Sequence, residues 1–225
     1  MEIIREEEGF LCIYKPAGIA VQTRRTCEKD IYSEVMNYLG SKTHTMPYAA
    51  VINRLDQPVE GIVLFAKNRQ AAANLSSQLQ NGKIKKEYQA YVFGTVEKKQ
   101  DSLTDYLKKN DKENRSDVVL KETPDAKQAR LSYRVISQNE EYAQLQISLE
   151  TGRHHQIRVQ LSSRGNPILG DLKYGTEESI AFATKHQIHS VCLCASSLTF
   201  SDPVTKKQIH VTVSSKNNDS KWSQV

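Results

Sequence analysis

At the start of the chain, apolar residues come in short runs broken by turn formers. Residues 9–13 form one such run, which stops at Lys15-Pro16-Ala17-Gly18 before Ile19-Ala20-Val21 resumes it. The pair predicts two short strands around a bend. From Asp30 the spacing changes. Ile31, Val35 and Leu39 recur at the helical period, with Asp30 placed to cap and Gly40 to terminate. A loop holding Thr43, His44 and Pro47 leads to a short apolar run at 49–52. After the polar loop 53–61 comes Ile62-Val63-Leu64-Phe65-Ala66, which has the unbroken apolar character of a central strand. Residues 70–81, rich in Ala and Leu, predict a helix that Gly82 ends.

Alternation takes over at 85–93, where Tyr88, Ala90 and Val92 share one face of a predicted strand. Residues 96–123 are polar, charged and weakly periodic, and predict an exposed excursion with one short strand at 118–120. Strands at 129–136 and 142–149 are joined by the turn Gln138-Asn139-Glu140. Helical spacing returns over 153–164, with Ile157 and Leu161 on the buried side, and Gly165-Asn166-Pro167 closes it. The tail supplies strands around 188–193 and 209–213, and residues 214–225 read as frayed. Strands outnumber helices without alternating one for one. The predicted class is therefore α+β, with a mixed, mainly antiparallel sheet flanked by helices and loops.

Composition removes several alternatives. Hydrophobic residues make up 38% and charged residues 25% of 225, enough apolar material for a sizeable core and too much for disorder. The longest apolar stretches, such as 62–66, fall far short of the ~20 residues of a membrane span. The acidic start, residues 1–8, lacks the apolar core of a secretory signal. Cys12, Cys27, Cys192 and Cys194 form no Cys-x-x-Cys pair and have no zinc-ligand spacing to histidines, so they read as buried thiols in a reducing cytoplasm. No Gly-rich phosphate loop is present, which argues against a nucleotide cofactor. A net charge of +5 permits a polyanionic partner without proving one.

Three constellations carry candidate chemistry. The loop Asn53-Arg54-Leu55-Asp56-Gln57-Pro58-Val59-Glu60-Gly61 lies between two apolar runs, where a rigid scaffold can present polar groups. On local sequence Asp56 is a nucleophile, a base, a metal ligand or a turn residue. In Thr151-Gly152-Arg153-His154-His155-Gln156-Ile157-Arg158, Gly152 permits close backbone approach, and a helix starting here would offer its amides and two arginines to an anion. Adjacent His154 and His155 would diverge on a helix, which disfavours their sharing a metal. Lys83, Lys85 and Lys86 flank Tyr88 and Tyr91, a basic and aromatic mixture suited to nucleic acid, although on local sequence a core tyrosine is the simpler reading of Tyr88.

Together these segments resemble the RluA-type pseudouridine synthases over residues 9–213. The matching signatures are Ile13-Tyr14-Lys15-Pro16-Ala17-Gly18, then Arg54-Leu55-Asp56 to Gly61 with the strand to Lys67, then Lys86-Glu87-Tyr88-Gln89-Ala90-Tyr91-Val92. The last is the 151–158 segment, followed by Gly165-Asn166-Pro167-Ile168 and Gly170-Asp171. The chain departs from the family at Asn53, where His is usual, at Val59-Glu60, where Thr-Ser is usual, and at Cys194, where His is frequent. The resemblance implies one catalytic domain over 1–225, without the separate N-terminal RNA-binding domain of many relatives. It further implies isomerisation of uridine in structured RNA, a ribosomal or transfer RNA stem-loop, by a cofactor-free and metal-free cytoplasmic enzyme, with a monomer expected.

The same resemblance assigns Asp56 as the catalytic carboxylate, acting on C1′ as a nucleophile or on a sugar proton as a base. Arg153 matches the arginine that pairs with it, which would hold the carboxylate ionised and oriented. Tyr88 matches the residue whose ring packs against the target base, and the base must be flipped out to reach the site. Arg54 would fill the space left by that base or bind a phosphate. Lys15, Lys83, Lys85, Lys86 and Arg158 would contact the RNA backbone. Two other classes compete: a non-catalytic RNA-binding protein or chaperone of the same fold, and a metal-dependent hydrolase built on His154, His155 and Asp171.

Overall fold

The unbroken apolar runs become the strands most completely covered. In the computed structural model, which describes residues 1–23, 28–42 and 46–216, Phe10–Lys15 and Glu60–Ala66 are buried along their whole lengths. In chain order the first elements are β1 Glu2–Glu6, β2 Phe10–Lys15, α1 Ile31–Lys42, β3 Ala50–Val51, β4 Glu60–Ala66 and α2 Arg69–Gln80. Then come β5 Lys85–Phe93, β6 Gln100–Asn110, β7 Arg115–Val119, β8 Lys127–Gln138 and β9 Tyr142–Leu149. The last are α3 Gln156–Ser162, α4 Glu177–Lys185, β10 Leu193–Ser201 and β11 Gln208–Thr212. This is the α+β class that the sequence predicts.

The chain divides into two compact units, residues 1–85 with 195–216, and residues 86–194. In the first, the strand order is β1-β2-β4-β10, with β3 beside β4 and β11 beside β10. The pairs β1/β2, β2/β4, β3/β4 and β10/β11 are antiparallel. Helix α2 packs Ala71 and Leu75 onto a core of Phe10, Cys12, Leu64, Leu198 and Phe200, in which the Phe10 and Phe200 rings meet edge to face at 4.9 Å. Asn68 caps α2 by accepting from Ala71 N at 2.8 Å, and Gly82 follows in the left-handed region at φ +67°. Asp30 caps α1 through Ser33 N, as its sequence position suggests, but Gly40 lies inside the helix. The second unit carries the antiparallel order β5-β9-β8-β6-β7, with Leu107, Ala129, Val159 and Tyr174 packed together.

Several elements differ from their sequence reading. Ile19-Ala20-Val21 forms no strand, only an isolated bridge from Ala20 to Asp30. Residues 96–123 are largely strand, because β6 and β7 form a hairpin and β6 also pairs along β8. Polar side chains on its outer face mask the alternation, with Leu103 and Leu107 inward. Helix α4 has no apolar stripe strong enough to announce it, yet Thr176 caps it by accepting from Ser179 N, and Glu177 and Glu178 occupy its positive first turn. Strand β10 begins some five residues later than expected, and β1 is acidic and edge-placed. Cys12, Cys192 and Cys194 are buried thiols. Cys27, Thr43, His44 and tail residues 217–225 lie outside the described residues, while Ser215 in the expected frayed tail is buried and hydrogen-bonded.

One electrostatic cluster fastens the edge of the first unit. Glu6 on β1 accepts from Lys67 Nζ at 2.7 Å, Tyr38 Oη at 2.6 Å and Lys42 Nζ at 2.9 Å. Burial opposes ionisation of this carboxyl, but those hydrogen bonds outweigh it and hold the pKa at about 2, against 4.5 ordinarily. A depressed carboxyl stabilises the fold above the unfolded value and loses that contribution as pH falls through the folded value. Unfolding by urea between pH 5 and pH 2 is therefore expected to show a steep acid loss in the wild type and a shallower one in Glu6→Gln.

Candidate active site

The loop carrying Asp56 is fastened at both ends by polar groups of its own unit. At its entry, Asn53 is buried and works as a piece of strand ladder: Oδ1 accepts from Leu64 N at 2.7 Å and Nδ2 donates to Ile62 O at 3.0 Å. The amide thus joins the loop to β4 where the family usually has His. In the middle, Gly18 N donates to Gln57 O at 2.8 Å and Gln57 Nε2 donates back to Gly18 O at 3.0 Å. At the exit, Val59 N closes a turn onto Asp56 O at 3.0 Å. Gly61 then has φ +121°, and a Cβ there would lie 2.4 Å from Ala195 O, so no other residue fits without moving the backbone. Asp56 is half-buried at the centre of this frame, and Arg54 beside it is exposed.

Lys15 is the deepest member of the frame. It is 0% exposed, and its ammonium donates to Ile19 O at 2.7 Å, Pro16 O at 2.9 Å and Gln57 O at 3.0 Å. Burial pulls its pKa down to about 8, against the opposing pull of Asp56 and then Glu60. Its sequence role as a contact to RNA phosphate is therefore corrected. With three carbonyls around the nitrogen and no exposed surface, Lys15 braces the loop from beneath. Glu60 is also buried, with its two oxygens accepting from the hydroxyls of Tyr14 and Ser215.

In the second unit, Arg153 sits in a turn held from β8. Gln156 Oε1 accepts from Thr151 Oγ1 at 2.7 Å and from Arg153 N at 3.0 Å, while its Nε2 donates to Arg130 O at 3.0 Å. Arg153 Nε donates to Gln128 O at 2.9 Å, and the residue is exposed. Gly152 leaves space that a Cβ would fill 3.6 Å from Lys86 Nζ. Burial pulls the Lys86 ammonium below its usual range, and the charge of Arg153 adds to that shift. Two cations thus converge beside a bare glycine, an arrangement that attracts an anion. Tyr88, two residues from Lys86 on β5 and so on the same face, is 7% exposed. A cavity of about 620 Å³ in this unit is lined by Glu87, Gln100, Ser102, Ser132, Arg134 and Gln146. Because Glu87 precedes Tyr88 in the strand, that cavity opens on the other face.

Other sequence expectations are revised here. Helix α3 starts only at Gln156, after His155 takes the left-handed conformation at φ 54°, and it is too short for the expected anion site at its N-terminus. His154 and His155 do not splay apart on a helix. Their rings stack at 3.7 Å, with Nδ1 of His154 3.0 Å from Ser116 Oγ and Nδ1 of His155 2.9 Å from Tyr174 Oη. Arg158, expected on the RNA, points inward. Its Nε and Nη2 meet the two oxygens of Asp171 at 2.7 and 2.8 Å, with side chains 5% and 0% exposed. Asp171 also accepts from Lys173 N and Tyr174 N, so both groups are committed to the fold. Among the described residues no group of three or more His, Cys, Asp and Glu is placed to hold a metal. Lys83 and Lys85 are exposed, and Lys86 is half-buried. Glu60, Asn53 and Gln156 are buried, hydrogen-bonded positions to which the sequence reading assigns no role. Two of them had registered only as family departures.

The signatures already described, around Asp56 in the first unit and around Tyr88 and Arg153 in the second, point to a class of RNA-modifying enzyme. Residues 9–163 match the family model for RNA pseudouridylate synthase, and the chain belongs to that family. Within it, the chain is of the RluA type. It is 27% identical to the tRNA pseudouridine synthase C of Vibrio parahaemolyticus over 100% of this chain and 93% of that protein. It is 28% identical to the dual-specificity RNA pseudouridine synthase RluA of Vibrio cholerae, over 86% of this chain and 76% of that one. A third relative, the ribosomal large subunit pseudouridine synthase D of Nitrosomonas europaea, is 33% identical over 78% of this chain, which spans only 50% of that protein. Human RNA pseudouridylate synthase domain containing 1 has the same fold, with a TM-score of 0.79 at 17% identity over 97% of this chain and 85% of that one.

The interior placement of Arg158 has a measurable consequence. Removing one partner of a buried ion pair leaves the other charged and unmatched, which costs about 3–5 kcal/mol. Arg158→Met is expected to lower the urea unfolding free energy by that amount, and adding Asp171→Leu to recover much of it.

Proposed function

We infer that Asp56 is the carboxylate with which this RNA pseudouridine synthase isomerises uridine. The observation that carries the assignment is the bracing of its loop, by Asn53 at one end, Gln57–Gly18 in the middle and the Lys15 ammonium beneath. Reaction geometry has to be held within tenths of an ångström, and a loop fixed at three points supplies that. In the reaction the C1′–N1 bond breaks, the base turns, and C1′ bonds to C5. The C5 hydrogen leaves as a proton and N1 gains one. No electrons are exchanged with a second reactant. Asp56, ionised, attacks C1′ or accepts a sugar proton, and both routes need the same fixed position.

Tyr88 and Arg153 take the roles that the family signatures give them: a ring against the flipped base and a fixed cation of the reaction. The exposed Arg54, Lys83 and Lys85 and the half-buried Lys86 make the salt-dependent contacts to the RNA backbone. The substrate is read as a ribosomal or transfer RNA, at a stem-loop uridine that is inexpensive to unstack. The enzyme is read as a monomer of the cytoplasm whose whole chain serves this one reaction. A non-catalytic RNA-binding role is not favoured, since the Asp, Tyr and Arg positions all keep the family's residues.

Two substitutions test the assignment. Asp56→Asn, with its thermal midpoint unchanged, is expected to reduce tritium release from RNA labelled at uridine C5 by about a thousandfold or more. Normal turnover would refute the role of Asp56. Tyr88→Phe is expected to lower kcat by about a hundredfold if the hydroxyl moves a proton, with RNA affinity changing little. Equal activity would leave the ring with packing alone.

A further inference from the structure

Gly152 is a glycine that the fold itself does not require. Its φ lies outside the left-handed region, and a Cβ there would meet the Lys86 ammonium at 3.6 Å, an ordinary contact. Neither strain nor crowding keeps a side chain out, in contrast to Gly61, where a Cβ would strike the backbone of Ala195. What a side chain at position 152 would occupy is the space beside Lys86. That space lies within the second unit, next to a cation that lacks an anion. Lys86 is half-buried on β5, and it is pulled below its usual range first by burial and then by the charge of Arg153. The acids close to it in sequence or in the turn are engaged elsewhere. Glu87 lies on the other face of the strand and accepts from Gln146 Nε2 at 3.3 Å, and Glu150 accepts from Arg130 Nε at 3.0 Å. Among the described residues no carboxylate pairs with the Lys86 ammonium.

We propose that Lys86 and the bare edge of Gly152, with Arg153 beside them, form a subsite for one RNA phosphate, that of the nucleotide being isomerised. The inference deepens the reading given above and rests on it, because Tyr88 is there the residue against the flipped base. Lys86 and Tyr88 share a face of β5 and stand two residues, roughly 6.6 Å, apart along the strand. One nucleotide spans that separation from its phosphate to its base. A base that has left its stack is free to swing, and a fixed grip on its own phosphate limits the swing to the reactive pose. Exposed lysines on mobile stems attract backbone without fixing a pose. A half-buried ammonium beside an anchored arginine can fix one.

The anchoring of Arg153 completes the subsite. Its main-chain nitrogen donates to Gln156 Oε1 at 3.0 Å and its Nε to Gln128 O at 2.9 Å, which leaves the donors of its two outer nitrogens to other acceptors. Two like charges held together partly out of water burden the fold. Because the Lys86 midpoint is depressed in the folded protein, the unfolded chain binds more protons between the two values, and at neutral pH the charged lysine lowers stability. An anion between Lys86 and Gly152 reverses the sign of that interaction. The charge is thus placed at a cost to the fold that binding offsets.

The experiment compares wild type, Lys86→Met and Gly152→Ala. The first readout, which needs no activity, is the NMR titration of the Lys86 side-chain 13Cε with uridine, inorganic phosphate or the dinucleotide uridylyl-uridine present. The dinucleotide is expected to raise the midpoint by about half a unit or more, since an anion favours the ammonium, and uridine to leave it in place. The second readout is RNA affinity against salt, with KM and kcat. Lys86→Met is expected to lower the slope of log affinity against log salt by about 0.7–0.9 and to raise KM about tenfold, with kcat changing less. Its thermal midpoint is expected to rise by about 2 °C or more, because the burdensome charge is gone. Gly152→Ala keeps both cations and is expected to lower the slope and raise KM in the same way, since its methyl group takes the place of the phosphate. An unchanged slope in Gly152→Ala, a Lys86 midpoint that inorganic phosphate moves and the dinucleotide does not, or a destabilised Lys86→Met would overturn the proposal. If RNA is never isomerised but the dinucleotide moves the Lys86 midpoint, the catalytic reading fails while the phosphate subsite stands.

Discussion

A lysine ammonium taken out of water needs an acceptor for each of its protons, and the shape of the Asp56 loop follows from how this chain supplies them. Lys15 ends β2 with no exposed surface, so the chain has to turn back over it twice. The first turn, at Pro16 to Ile19, brings two carbonyls, and the second, the Asp56 loop, brings Gln57. The paired bonds between Gly18 and Gln57 then lock the turns to each other. Stability is traded for this arrangement. Because the folded pKa lies near 8 and the unfolded value near 10.5, the unfolded chain binds more protons between them. Stability therefore rises with pH across that window, and at neutral pH the charged lysine is a burden on the fold. A methionine would fill the space more cheaply. Such a burden is typical of a group kept for what it positions rather than for what it stabilises.

The arginine turn of the second unit is built on the same principle with a neutral anchor. Gln156 uses both ends of its amide, accepting from Thr151 and Arg153 and donating to the β8 carbonyl of Arg130. Below it, the Arg158–Asp171 pair and the Tyr174 hydroxyl fix the base of the turn, with Ser116 of β7 donating its amide to Tyr174 at 2.7 Å. The hairpin that looked like an exposed excursion thus closes the layer beneath Arg153. In each unit the candidate side chain, Asp56 or Arg153, is half-buried or exposed, while the groups that hold its loop or turn are buried and hydrogen-bonded. That division lets one end of the arrangement meet substrate without loosening the other.

The difference between these two kinds of residue explains what could be read from the sequence. Strand β5 was legible to its ends because Tyr88, Ala90 and Val92 alternate cleanly, and α2 because Ala71 and Leu75 recur at helical spacing between Asn68 and Gly82. Strand β6 was hidden because only Leu103 and Leu107 of its eleven residues are buried apolar ones, too sparse a signal against Lys108 and Lys109. Its order comes from pairing with β8, a long-range property that no local window contains. For the site, the motif residues Asp56, Tyr88 and Arg153 were recognisable, whereas the groups that hold them were not. Asn53 imitates a strand ladder and Glu60 gathers the hydroxyls of Tyr14 and Ser215, and neither relation is visible without the fold. Both had looked like defects in the signature.

Charge is where sequence reading misleads most, because a letter carries no depth. Six basic residues stood as candidates for RNA contact, and two of them, Lys15 and Arg158, are interior structural groups. Counting them as phosphate contacts would overstate the electrostatic part of binding, since each neutralised phosphate adds roughly 0.7–0.9 to the slope of log affinity against log salt. On the proposed reading the four that remain, Arg54, Lys83, Lys85 and Lys86, would contribute about three to three and a half to that slope. That is a modest non-specific grip. A weak grip of this kind leaves discrimination to the flipped base itself, whose unstacking depends on the RNA structure around it. Depth therefore separates the two sets: Lys15 and Arg158 each hold the fold of their own unit, and on the proposed reading Arg54, Lys83, Lys85 and Lys86 bring the RNA within reach.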